Sequence, residues 1–218
     1  MPKKLPIRVG HGQPAAKPII ITFSFTGLRP QELITLEWKH VNMEKKLISV
    51  KQALQRVVEF DDMGNVISRS EVIGKTKTPT SVREIIMSDV VIDVLQEWRD
   101  YYCTEHNISS AFVFPNTETG GMHTYSGLRA MLTRFIKRYK LEAEKISLYT
   151  FRHTFATMLL EERENPKIVA ALTGHKKVST TLDIYSHVVN KDVYEKTAQT
   201  LDGVFKRLHP GQPLPSQP

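Results

Sequence analysis

The hydrophobic period of this chain departs from helical spacing over one interior stretch, and that departure restricts the folds open to it. Between Leu47 and Met87 apolar residues recur at strand spacing, while on either side they recur at helical spacing. Three antiparallel strands are expected, at residues 47–50, 70–73 and 82–87. Between them 59–65 reads as a turn or hairpin tip, and 74–80 as a second turn, basic and free of acids. The expected fold class is α+β, mainly helical, with a small three-stranded antiparallel sheet.

Upstream, residues 19–25 form an apolar run read as a short buried helix, with strand as the alternative at that length. Gly27 breaks it, and Pro30 suits the first position of a second helix ending near Trp38. Leu33 and Leu36 face inward there, while Arg29 and Glu32 share the opposite side and can meet. Downstream, Ser88 caps a helix with Asp89 in its first turn and a stripe of Val91, Val94, Leu95, Trp98 and Tyr102. Residues 112–115 read as a buried extended piece, and Gly120-Gly121 as a turn. A basic amphipathic helix spans 125–140, with Leu128, Met131, Leu132, Phe135 and Ile136 inward and Arg129, Arg134, Lys137 and Arg138 around the rest.

Another helix covers 151–163, with Phe155, Met158 and Leu159 inward, and the next runs from Asn165-Pro166 to a C′ glycine at Gly174. Ser179 opens the helix or turn that bears Tyr185, and 192–206 form a last helix. Prolines crowd both ends. Residues 1–18 are therefore expected as an extended leader and 209–218 as a disordered tail, around one folded domain at 19–208.

Charge and cysteine usage narrow the setting. With 30 Lys+Arg against 23 Asp+Glu the chain carries +7, which suits a polyanionic partner because neutralised phosphates release counterions. Cys103 is the sole cysteine, so no internal disulfide or thiolate cluster can form, and a reducing, cytoplasmic compartment is expected. The longest apolar run, 19–25, is too short to span a bilayer, and no apolar segment follows Lys3 and Lys4 as in a secretory signal. No membrane partner is expected.

Several polar residues then suggest a reaction. Arg29, Arg152 and His175 are donors suited to an oxyanion, and Tyr185 offers a phenol as nucleophile. Displacement at a phosphodiester builds negative charge on the non-bridging oxygens, which guanidinium groups meet with paired N–H donors. The departing alkoxide needs an acid, for which Lys77 and Lys75 in the basic turn are candidates. A phenol, with an ordinary pKa of about 10, would be activated by such a cationic field. Each residue also has a plainer reading. Arg29 can be a surface partner of Glu32, His175 a helix cap, Tyr185 a core-edge residue and the basic helix a solvated face. His153, His175 and His187 match no usual zinc-ligand spacing, so no metal is expected.

In their joint order these residues resemble the catalytic domain of the tyrosine recombinases, the phage integrase family, over about residues 19–206. T-G-L-R-P-Q-E-L resembles the box of the first arginine, which implies Arg29 as a catalytic residue and Glu32 as its acidic support. T-K-T-P-T-S-V-R-E-I resembles the hairpin of the catalytic lysine and implies Lys77, with Lys75 as the alternative register. R-H-T-F-A-T implies Arg152 as second arginine, L-T-G-H implies His175, and T-T-L-D-I-Y-S-H implies Tyr185 as nucleophile. Where the family carries a histidine ahead of the second arginine, this chain has Tyr149, carried over as a phosphate-site contact.

The resemblance implies a site-specific recombinase or integrase acting on double-stranded DNA through a 3′-phosphotyrosyl intermediate, with neither metal, ATP nor other cofactor. It implies four protomers on two duplexes that exchange the segment 192–206, with the state away from DNA left open, a monomer included. It also implies an N-terminal core-binding domain, which has no counterpart in this sequence. Two other readings stay open: a type IB topoisomerase-like enzyme, and a non-catalytic DNA-binding remnant of the same fold.

Overall fold

A computed structural model of the chain describes residues 15–75, 82–106, 110–116, 118–140 and 146–185, with the isolated positions 203 and 207; at 103–106 and 185 it describes the backbone. Helix α1 (Ala16–Thr26) buries Ile19 and Phe23, and the Phe23 ring stacks on Phe151 at 5.9 Å. The helix takes in the last three residues expected in the leader, with Ala16 and Pro18 buried. Proline is tolerated there because a first-turn N–H has no intrahelical partner to lose. Helix α2 (Pro30–Ile34) is shorter than the expected run to Trp38. Its continuation is claimed by a distant segment. Val113 N–H donates to the Leu36 carbonyl at 2.8 Å and Trp38 N–H to that of Ala111 at 2.9 Å.

The antiparallel sheet has three strands in the order β1 (Val41–Asn42), β2 (Leu47–Val50) and β5 (Arg83–Ile86). Its central register runs from Leu47 opposite Ile86 to Val50 opposite Arg83. A separate two-stranded ribbon is made by β3 (Gln52–Phe60) and β4 (Val66–Lys75). The expected strand at 70–73 therefore lies in the ribbon and not in the three-stranded sheet, whose third member is β1. The ribbon turn is shorter than expected because β3 runs on to Phe60, and Asp61 Oδ1 closes it by accepting from the N–H groups of Met63 and Asn65.

Helix α3 (Asp89–His106) buries the whole expected stripe, and Trp98 Nε1 donates to the Val113 carbonyl at 2.6 Å. Helix α4 (Tyr125–Arg138) starts at a Thr124 cap and puts Leu128, Met131 and Leu132 into the same core, leaving its arginines and Lys137 exposed. Helix α5 (Leu148–Glu161) begins earlier than expected, at the capping pair Ser147 and Thr150, and buries Phe155, Ala156 and Leu160. Helices α6 (Pro166–Thr173) and α7 (Val178–Tyr185) close the described chain. The expected helix at 192–206, Gly203 excepted, and the tail at 209–218 fall outside the described residues.

Candidate active site

Gly27 forces the bend between α1 and α2. Its φ of 62° is left-handed, and a Cβ there would come within 2.4 Å of the Phe155 ring. The buried backbone carbonyl of Gly27 accepts from Arg152 Nη1, reaching over from α5, at 2.6 Å. Two residues on, Arg29 caps α2. Its backbone N–H donates to Glu32 Oε2 and its Nη1 to Oε1, both at 2.7 Å.

Glu32 is 3% exposed, so its charge needs partners. Arg83 supplies them as a fork, Nη1 to Oε1 and Nη2 to Oε2, each at 2.9 Å. Burial pushes the Glu32 carboxyl up, but the hydrogen bonds and charges of Arg83 and Arg29 outweigh it and hold it below the ordinary value.

The end of α6 meets this group. Gly174, with φ 66°, ends the helix in a Schellman motif in which its own N–H donates to the Ala171 carbonyl and that of His175 to Ala170. The last carbonyls of α6 are taken by the two arginines: Arg29 Nη2 donates to Gly174 O at 2.6 Å, and Arg83 Nε to Leu172 O at 2.7 Å. Cations favour that end of a helix because its unpaired carbonyls carry partial negative charge. A side chain at 174 would crowd both arginines, since a Cβ would lie 3.2 Å from Arg83 and 3.3 Å from Arg29 Nη1 and they would have to give way by a few tenths of an ångström.

His175 follows directly, with Nδ1 2.9 Å from the buried Thr181 hydroxyl on α7. Burial, then the charges of Arg152 and Arg29, push its pKa down to about 4, so the ring is neutral at physiological pH. Burial and the charge of Arg29 also push Arg152 down to about 9, with Glu32 opposing. Arg152 Nη2 is buried with no hydrogen-bond partner among the described residues. Two guanidinium groups thus share one carboxylate, a third lies close by on the Gly27 carbonyl, and one of its donors is left over. Chemically the cluster is a receiver for an oxyanion.

Of the residues expected at the site, Arg29, Glu32, Arg152 and His175 come together in this way. Tyr149 stands at the rim, 39% exposed, and its hydroxyl donates to Gln31 at 3.3 Å. Lys75 closes β4, and Lys77 lies outside the described residues. Tyr185 is the last residue of α7, one helical turn beyond Thr181, and its side chain also lies outside them. Arg83 was not among the expected residues. No sequence pattern marked it, because apolar residues at 82, 85, 86 and 87 leave the inward face of the strand undecided; the structure, with Ile85 and Met87 buried and Val82, Glu84 and Ile86 exposed, puts Arg83 on the inward side, where a charge requires a partner.

Helices around small antiparallel sheets make a fold that matches tyrosine recombinase catalytic domains. The chain belongs to the phage integrase family, whose model matches residues 17–192. It is 32% identical over 192 residues to the tyrosine recombinase XerC-like protein of Caldanaerobacter subterraneus subsp. tengcongensis, an alignment covering 83% of this chain and 47% of that one. With the integrase of Staphylococcus phage L54a it shares 26% over 184 residues, covering 77% and 46% respectively. Among solved structures it resembles the Tn1549 transposon integrase in complex with transposon right end DNA, with a TM-score of 0.67 and 25% identity over 86% of this chain and 59% of that one. The chain spans about half the length of the curated relatives it matches. No described helix is long and apolar enough to cross a membrane.

Proposed function

We propose that this chain is the catalytic part of a DNA strand-cleaving and rejoining enzyme, a site-specific recombinase or integrase of the cytoplasm. The observation that carries this is the junction of three distant segments: Arg29 on Gly174 O beside His175, and Arg152 on Gly27 O beside Arg29. Arg29, Arg152 and the Nε2–H of neutral His175 hold the non-bridging oxygens of a phosphodiester, with Glu32 supporting Arg29 and Tyr149 contacting the rim. Tyr185 releases its phenolic proton to water and attacks phosphorus as the bond to the 5′ oxygen breaks, and Lys77, or Lys75 at the ribbon end, protonates the leaving oxygen. A partner strand's 5′ hydroxyl then displaces the tyrosyl oxygen, so the phosphodiester is regained and neither metal nor ATP is consumed.

Double-stranded DNA is the proposed partner. The Tn1549 integrase was solved with DNA, and here the exposed Arg129 and Lys137 of α4 add positive surface. Four protomers on two duplexes, exchanging 192–206, is the assembly we propose on the substrate. The test is covalent capture on a pool of nicked suicide duplexes randomised across the cleavage region, separated under denaturing conditions. A protein–DNA adduct is expected that is absent in Tyr185→Phe. An adduct of equal yield in that variant removes Tyr185 from the mechanism.

A further inference from the structure

We propose that Arg83 is a positioning residue for the reaction: it fixes the Glu32 carboxylate and the end of α6 so that Arg29 and His175 are presented together. The inference rests on the strand-cleaving reading above.

Every nitrogen of the Arg83 guanidinium is engaged. Nη1 and Nη2 grip the two carboxylate oxygens of Glu32, and Nε grips Leu172 O. Its side chain is 6% exposed. A group so committed is not placed to take a phosphate oxygen itself. What it controls is the plane of the carboxylate, because a two-pronged contact fixes rotation as well as distance. Both oxygens of that carboxylate also accept from Arg29, one from Nη1 and the other from the backbone N–H. The orientation of Arg29 is therefore inherited from Arg83 through Glu32.

The second grip matters as much. Leu172 O and Gly174 O belong to the same helix end, and Arg83 and Arg29 hold one each. His175 leaves from that end, and its ring is within the electrostatic reach of Arg83, Arg29 and Arg152. Without Arg83, Leu172 O loses its guanidinium donor, and the Glu32 carboxylate keeps the two contacts from Arg29 but loses the fork that fixes its plane from the other side.

A direct phosphate ligand and a positioning residue differ in what they cost. Arg83→Lys keeps the charge but replaces the fork by a single ammonium. DNA affinity, read by filter binding, is expected to stay within about twofold because the long-range attraction is retained. The single-turnover rate of adduct formation on the nicked duplex pool, normalised to folded protein, is expected to fall about 10–100-fold, as when a group that orients a reactive ligand is lost. Because Glu32 is released from the pull of Arg83, the acid limb of the rate profile is expected to move to higher pH. Glu32→Gln, similar in size, is expected to show the same split between binding and rate.

A separate arm needs no DNA chemistry: sulfate is expected to raise the melting temperature of the wild-type chain and to do so much less in Arg83→Lys. Cleavage by Arg83→Lys at the wild-type rate per folded molecule overturns the inference while leaving the strand-cleaving reading intact. Should the wild type form no adduct, sulfate protection that depends on Arg83 upholds the positioning role and sinks the reading. Sulfate protection indifferent to Arg83 in that case sinks both.

Discussion

The Nδ1 atom of His175 lies 2.9 Å from the hydroxyl of Thr181, and that hydroxyl sits one helical turn before Tyr185 on the same helix. A neutral imidazole with Nδ1 accepting from Thr181 carries its proton on Nε2, the atom left to face a phosphate oxygen. One contact thus ties the histidine to the helix of the proposed nucleophile, and with Thr181 as the donor it leaves the ring proton on Nε2. Thr181→Val keeps the shape and removes the donor. We expect adduct formation to fall about 10–100-fold, with a stability loss near 1 kcal/mol for the lost hydrogen bond. Imidazole nitrogen chemical shifts, which report the tautomer, should change at His175 in this variant.

The pH dependence of folding follows from the same residue. The unfolded chain takes up a proton on His175 near 6.5, the folded chain only near 4. Protons therefore favour unfolding across that window: the stability linked to His175 is complete above 6.5 and is lost as pH falls toward 4. Glu32, whose pKa is lowered from 4.5, adds its own loss only below that value. His40 and His123, lowered mainly by burial, pull in the same direction as His175. Urea midpoints measured between these limits should decline in the wild type, and less steeply in His175→Gln.

Two glycines separate conformational strain from crowding. Gly64, φ 82°, sits in the ribbon turn with nothing within 4 Å of a Cβ, whereas at Gly174, φ 66°, a Cβ meets Arg83 and Arg29. Gly64→Ala should cost about 1–2 kcal/mol in urea denaturation, the strain of a left-handed alanine. Gly174→Ala should cost that and more, and should lower adduct formation by displacing the guanidinium groups. Equal costs at the two positions and unchanged cleavage would remove the crowding at Gly174 from the account.

Tyr149 is expected to act through its hydroxyl. Tyr149→Phe loses one donor, worth about 0.5–1.5 kcal/mol, so the cleavage rate should drop by at most about tenfold. Tyr149→His restores a donor and should retain or raise the rate. Loss of cleavage in a folded Tyr149→His protein would count against the phosphate contact.

The strip of Val91, Val94, Leu95, Trp98 and Tyr102 could be read from the sequence because one helix face buries all five, so their spacing is the fold's own. Residues 47–50 were legible as a strand for the same kind of reason, alternate positions entering the core. The ribbon was only half legible. From Arg56 to Phe60 both faces of β3 are exposed, so nothing selects alternating residues there. Helix α2 was overrun because its end is decided by hydrogen bonds to residues 111 and 113, which no local pattern announces. At the site, the pairing of Arg29 with Glu32 followed from their spacing, but the contact of Arg29 with Gly174, 145 residues away, did not. Arg83 was not legible, because apolar residues fall on both faces of 82–87 and the inward face of β5 emerges only in the fold.

Glu32 is the shared footing of two cations, accepting from Arg29 and Arg83 on both of its oxygens. Damage to this trio cannot be partitioned among its members. Once any one is gone, harming a second has little left to undo, so double variants should show strong epistasis and defects far smaller than the sum of the singles. Change at these three positions is then open to the chain only as a coordinated set.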